Sequence, residues 1–165
     1  MLLWCVGLSV LLVWYVFRSS GLDFRLVAIG SLVPLLVDIP FGHLAIGHTL
    51  LFTVALLGAV MLATIGRTRL VRRRLLCLPI GSFTGLVLTG AWTQTDVFWW
   101  PLTGRTLPDI PLLPSIGVLV VMELVGLVAC WWVVGLFDLY EPGPRRELLR
   151  TGRLHASVPP AEGTP

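Results

Sequence analysis

The sequence predicts an all-α fold: a polytopic transmembrane bundle of about five helices, with the N-terminus outside and the C-terminus in the cytoplasm. Three observations carry this. Of the 165 residues, 56% are hydrophobic and 13% charged, at a mean hydropathy of +0.89. That is more apolar surface than a soluble domain of this size can hide, so lipid must solvate much of it. The apolar residues come in Leu/Val blocks without period-2 alternation, which excludes a β-barrel and leaves helices, since main-chain polar groups cannot stay unpaired in hydrocarbon. Three arginine clusters are spaced so that one membrane face receives all three if the chain crosses five times.

Taken in order, Met1–Phe17 holds no charge and, at about 1.5 Å per residue, almost crosses a hydrocarbon core of about 30 Å. It lacks a basic leading region and no small-residue cleavage site follows it, so it reads as a retained helix and not a removable signal peptide. Leu26–Gly42 is the weakest span: it is short, contains Pro34 and ends in Asp38–Ile39–Pro40, which leaves a kinked or half-inserted helix open. Leu44–Ile65, Leu75–Ala91 and Ser115–Phe137 are ordinary spanning segments. Arg18 with Arg25, Arg67 to Arg74, and Arg145 to Arg153 then share the cytoplasmic side; deleting the second crossing would set the first cluster opposite the others.

Residues 1–140 form a transmembrane domain and 141–165 a cytoplasmic basic, Pro-rich tail. Glu141–Pro142–Gly143–Pro144 breaks the last span, and Arg145–Leu154 alternates Arg with Leu pairs, as in a positive-inside anchor or a short interfacial helix. Ser157–Pro165 has the composition of a disordered segment. The basic residues are all Arg and flank the spans, while the aromatics Trp4, Trp92, Trp99, Trp100, Trp14 and Tyr15 sit at span ends. That is headgroup-depth placement, not a basic face with interleaved aromatics, so no nucleic acid is expected. The lipid bilayer is the expected partner, the inner or plasma membrane the expected location, and no residue identifies a protein partner. Cys5, Cys77 and Cys130 lie in different spans and imply no disulfide framework. Gly81, Gly85 and Thr89 form a small-residue stripe against which another helix can pack closely.

Polar residues at membrane depth need a reason. Asp38 and His43 lie in the turn after the second span and His48 opens the third, so the three can converge beneath the outer surface. His and Asp are ligands for a divalent ion such as zinc, which takes three or four donors. His43 and His48 are about 140° apart on a helix, so they share a face only if His43 precedes it. A cap or interface hydrogen bond is the simpler role for each. Glu123, about 12 Å into the fifth span, requires a buried structural hydrogen bond or a place beside a metal site.

Gly30–Ser31–Leu32–Val33–Pro34 leading to Asp38, Gly47–His48–Thr49, Leu78–Pro79–Ile80–Gly81 and Phe98–Trp99–Trp100–Pro101 together resemble the membrane-bound metal-dependent hydrolases, the LexA-binding, inner-membrane-associated hydrolase type, and their actinobacterial-type members most of all. The resemblance runs from about Met1 to Arg153. It implies a helical bundle with a metal site made of a His in the first helix, a Pro-Asp-x-x-Asp segment, a Gly-His-Thr or Thr-His-Ser segment and a later His-x-x-x-Asp segment. Here Cys5 stands for the first His, Leu35 for the first Asp, and Gly85 and Thr89 for the last pair, while Asp38 and His48 are retained. His43, or Cys5 as a thiolate, is the remaining source of a third ligand. Two ligands seldom hold a catalytic ion, so zinc binding is expected to be weak or absent, and restoring the missing residues is expected to create a site.

Three functions follow: a metal-dependent hydrolase, as the resemblance implies; a pseudoenzyme that kept the bundle and acts as a membrane scaffold or interaction protein; and a small-solute transporter, for which only Pro34 and the Gly/Thr face of the fourth span speak.

Overall fold

The computed structural model describes residues 1–18, 21–104 and 106–153, and among these all the regular structure is helical. The charge-free first run forms α1, Leu2–Phe17, which ends where Arg18 takes a left-handed conformation. After a short connection, α2 spans Phe24–Asp38 and continues as a 3-10 turn, Ile39–Phe41. Pro40 sits in the first turn of that extension, where a missing N–H costs little, so Asp38–Ile39–Pro40 prolongs the helix instead of breaking it.

The segment expected to be the weakest span is therefore one of two stretches, among the described residues, long and apolar enough to cross a membrane, Phe24–Phe41; the other is α7, Ile116–Leu136. The middle apolar runs give helices shorter than themselves. From Leu44–Ile65 comes α3, Leu50–Ala63, and from Leu75–Ala91 comes α5, Cys77–Leu88. The basic α4, Arg69–Leu75, leads into α5 with only Leu76 between them. Pro79 accounts for that break, since it has no N–H for the Leu75 carbonyl. A four-residue α6, Thr95–Phe98, follows, and α8, Pro142–Thr151, ends the described chain.

Small residues set the helix contacts. A side chain on Gly81 would run into the Val27 carbonyl, one on Gly85 into the Ser31 carbonyl and one on Gly30 into the Leu78 carbonyl, so α2 and α5 touch backbone to backbone. Gly126 plays the same part where α7 meets the Leu3–Trp4 backbone of α1. At the far end of α1, Val10, Val13, Phe24, Val27, Cys77 and Phe137 form an apolar core, and Trp14 meets Phe137 edge-on at 5.6 Å. Trp14, half-buried, thus packs against that core.

The arginine-bearing segments meet at that end. Arg25 donates to the Leu149 carbonyl at 2.7 Å and Phe24 N–H to the Gly152 carbonyl at 2.8 Å, docking α8 on the start of α2. The Arg73 guanidinium lies against Gly21, in the connection from α1 to α2. The first part of the sequence-defined tail is thus packed on the bundle as a helix. Residues 154–165, including Ser157–Pro165, lie outside the described residues.

Candidate functional site

The site begins where α2 ends. Asp38 is its last residue, and the chain returns past it through Gly42–Thr49 before α3 starts. The Asp38 carboxylate is fully buried and organises that return. It accepts Ala45 N–H at 2.7 Å on Oδ2 and Gly47 N–H at 2.8 Å on Oδ1. Those bonds fold Ile46–His48 into a 3-10 turn and bring the equally buried His48 ring back, its Nδ1 at 2.7 Å from Asp38 Oδ2. Gly47 is required because a Cβ there would meet Asp38 Oδ1 at 2.7 Å as well as the Pro34 carbonyl. Thr49 then caps α3, accepting Phe52 N–H at 3.1 Å while its hydroxyl donates to the Ile46 carbonyl at 2.8 Å.

A carboxylate only accepts, so Nδ1 is the donor within the pair. His48 Nε2 is buried without a partner among the described residues. A proton there would be a buried donor lacking an acceptor, so the ring presents Nε2 as a bare acceptor. Three hydrogen bonds to a buried carboxylate, each worth about 1.5–3 kcal/mol, make Asp38 the anchor of the whole turn.

The other sequence-derived candidates lie apart. His43 is half-buried; its Nδ1 donates to the Leu44 carbonyl at 3.2 Å and its ring packs by Phe41. Its backbone pairs with Pro111, so it belongs to the contact between residues 42–44 and 110–112. Cys5 is fully buried on α1 and Leu35 is buried on α2. The Thr89 hydroxyl donates to the Gly85 and Leu86 carbonyls at 3.0 and 3.2 Å. Glu123 caps another helix: its carboxylate accepts Leu2 N–H at 2.7 Å and Leu3 N–H at 3.0 Å and pairs with the Met1 main-chain nitrogen. It thereby satisfies open N–H groups at the start of α1 and needs no metal beside it.

No family model, curated protein or solved structure matches this chain. The site's capacity must therefore be judged from its own atoms. A divalent ion takes three or four donors. His48 Nε2 is one, but both Asp38 oxygens are engaged by the turn, and among the described residues no three His, Cys, Asp or Glu side chains form a group able to hold an ion. Position 85, where the resemblance places a His, has the Ser31 carbonyl where a Cβ would go. The donor set does not fit a metal centre. What sequence reasoning missed is that the partners of Asp38 are main-chain amides; the Gly47 beside His48, a residue able to bring its N–H close, was the available signal.

Proposed function

We propose that this protein is a multi-pass membrane helical bundle of the metal-dependent hydrolase type whose catalytic site is reduced to the Asp38–His48 pair, and that it acts as a non-catalytic membrane scaffold or binding component. The observation that carries the reduced site is the engagement of both Asp38 oxygens by Ala45, Gly47 and His48. An Asp that holds a histidine's Nδ1–H while Nε2 points away is the arrangement that orients a metal-ligating imidazole, which supports the kinship. With one ring nitrogen left to offer, it supports a clasp between α2 and α3 better than it supports hydrolysis.

Membrane insertion is supported by α7, where 17% of the spanning window is buried and Val121, Leu124, Leu127, Val128, Trp131 and Trp132 are exposed. A helix that is apolar on its uncovered faces is solvated by lipid, and the core helix of a soluble protein would be covered. Five crossings with the C-terminus inside are supported by the arginine segments meeting at one end. Alkaline carbonate treatment of membranes tests insertion, with the protein expected in the pellet.

A working hydrolase is the second reading, favoured by the unpartnered His48 Nε2. Metal analysis of the detergent-purified chain after dialysis against a weak chelator decides between them. The reduced site predicts less than one-tenth of an equivalent of zinc, on the order expected when only one or two ligands are present. Stoichiometric zinc that is lost on His48→Ala would establish the enzyme reading instead.

A further inference from the structure

The bundle fixes the rotation of α8 about its own axis. Leu148 is half-buried against the apolar core, while Arg25 donates to the Leu149 carbonyl and Phe24 N–H to the Gly152 carbonyl. At about 100° per residue, Leu149 then lies to one side of the docked Leu148, and Glu147 lies equally far to the other. The two flanks differ in polarity. Leu149 is 63% exposed, and Arg145 and Arg146, both exposed, stand one turn before it on the same face. Glu147, the one acid in the sequence of α8, belongs to the opposite flank.

The chain also holds α8 at the end of the spans. Only residues 137–141 separate it from α7, a link that reaches about 17 Å at full extension. Its far end docks on the first residues of Phe24–Phe41, the other stretch able to cross a membrane. Tyr140, in the link, is exposed and is a residue type that favours headgroup depth. A helix held there, with a leucine beside arginines on one flank and an acid on the other, has the side-to-side polarity of an interfacial helix. The leucine enters the acyl boundary, and the arginine stems follow it while their guanidinium groups stay among phosphates. An acidic protein would pair the arginines but leave Leu149 without an apolar partner. A zwitterionic leaflet would shelter the leucine without attracting the arginines, so an anionic leaflet is the occupant that uses both.

We propose that the Leu149 flank of α8 binds the anionic lipid surface of the leaflet at that end of the bundle, with Leu149 inserted and Arg145 and Arg146 on lipid phosphates. The inference rests on the membrane reading given above and adds to it the contacting face and the class of headgroup.

Spin labels on the full chain in lipid nanodiscs test this. Cys130→Ser removes the half-buried native thiol, and labels are placed singly through Leu149→Cys, Glu147→Cys and Val128→Cys. Accessibility to a neutral nickel chelate is measured in discs of phosphatidylcholine alone and of an equal mixture with phosphatidylglycerol. In the mixture the label at 149 should be about threefold less accessible than the label at 147, and phosphatidylcholine alone should erase most of that difference. Arg145→Gln combined with Arg146→Gln should give the phosphatidylcholine result in the mixed disc, with helix content unchanged because both side chains are exposed. Equal accessibility at 149 and 147 in the mixed disc would overturn the inference and leave the flank to an acidic protein. Shielding of 149 that ignores phosphatidylglycerol, or that survives the double substitution, would overturn it as well, since the arginines would then recognise no headgroup. The label at 128, on the exposed face of α7, separates the two failures. If it is shielded from nickel while 149 and 147 agree, only this inference is lost; if it is open to nickel, the membrane reading is lost.

Discussion

The contact between α2 and α5 makes Gly85→Ala a decisive substitution. A Cβ on Gly85 would be driven into the Ser31 carbonyl oxygen and would lie 3.1 Å from Ser31 Cα. Both are main-chain atoms, so no side-chain rotation relieves the overlap. The helices must move apart along a contact that also includes Gly30 and Gly81. Overpacking of this kind costs about 1–3 kcal/mol. Alanine in a helix interior is favoured over glycine by about 1 kcal/mol, which offsets part of that cost. The net expectation is a destabilisation of up to about 2 kcal/mol. Gly58 on α3 supplies the matched control, because a Cβ there meets nothing within 4 Å. Gly58→Ala should stabilise by about 0.5–1 kcal/mol from helix propensity alone. Equilibrium unfolding in mixed detergent micelles, followed by helical circular dichroism, measures both. If the two variants agree within about 0.5 kcal/mol, the backbone contact is not what excludes a side chain at position 85, and the reasoning fails. The same geometry alters the expectation that restored family residues create a site. The variant Cys5→His, Leu35→Asp, Gly85→His, Thr89→Asp must part α2 from α5 before a histidine at 85 has room, so it should lose stability without gaining metal.

Asp38→Asn keeps the shape of the side chain but replaces an acceptor oxygen by an NH₂ group facing N–H donors; one of the three bonds is lost with its donor left buried, for a cost of about 1–3 kcal/mol in the same unfolding assay. A melting curve identical to the native one would remove Asp38 from its role as anchor. Glu123→Ala should cost about 1 kcal/mol through the open N–H groups of α1, with hydrogen exchange accelerating at Leu2 and Leu3 and unchanged in α3; uniform acceleration would point to packing instead. For topology, a cysteine at Leu70 on α4 should be labelled by a membrane-impermeant maleimide only after the cells are opened, and labelling in intact cells would reverse the proposed orientation.

Hydropathy carried the outline of the fold because a helix that packs in or against an apolar medium must be apolar along its length; α1 and α7 lie within runs that composition alone marks out, and α2 overlaps most of one. It could not carry the ends of α2 and α3, because those are decided by bonds between a side chain and distant main-chain groups. Leu44–Ile65 reads in the sequence as one spanning segment, yet Asp38 takes the N–H groups of Ala45 and Gly47 and holds the first part in a 3-10 turn until Thr49 caps the next helix. Pro34 and Pro40 leave a kinked or half-inserted helix open in the sequence; one lies within α2 and the other in the first turn of its extension. The site was legible to the same extent. Asp38 and His48 stood out as polar groups that apolar surroundings penalise, and the structure joins them at 2.7 Å. Glu123 stood out for the same reason, but its partners are main-chain nitrogens at the start of α1, which carry no side-chain signature for a sequence to display. The small residue at 85 could be read from sequence either as a lost ligand or as a packing surface; its contact with Ser31 shows that it serves packing. Once α2 closes on α5 at that point, a histidine at position 85 meets a backbone already committed to another contact. On the proposed reading, loss of the metal set and tight packing of the bundle reinforce each other, which favours a scaffold over a restored enzyme.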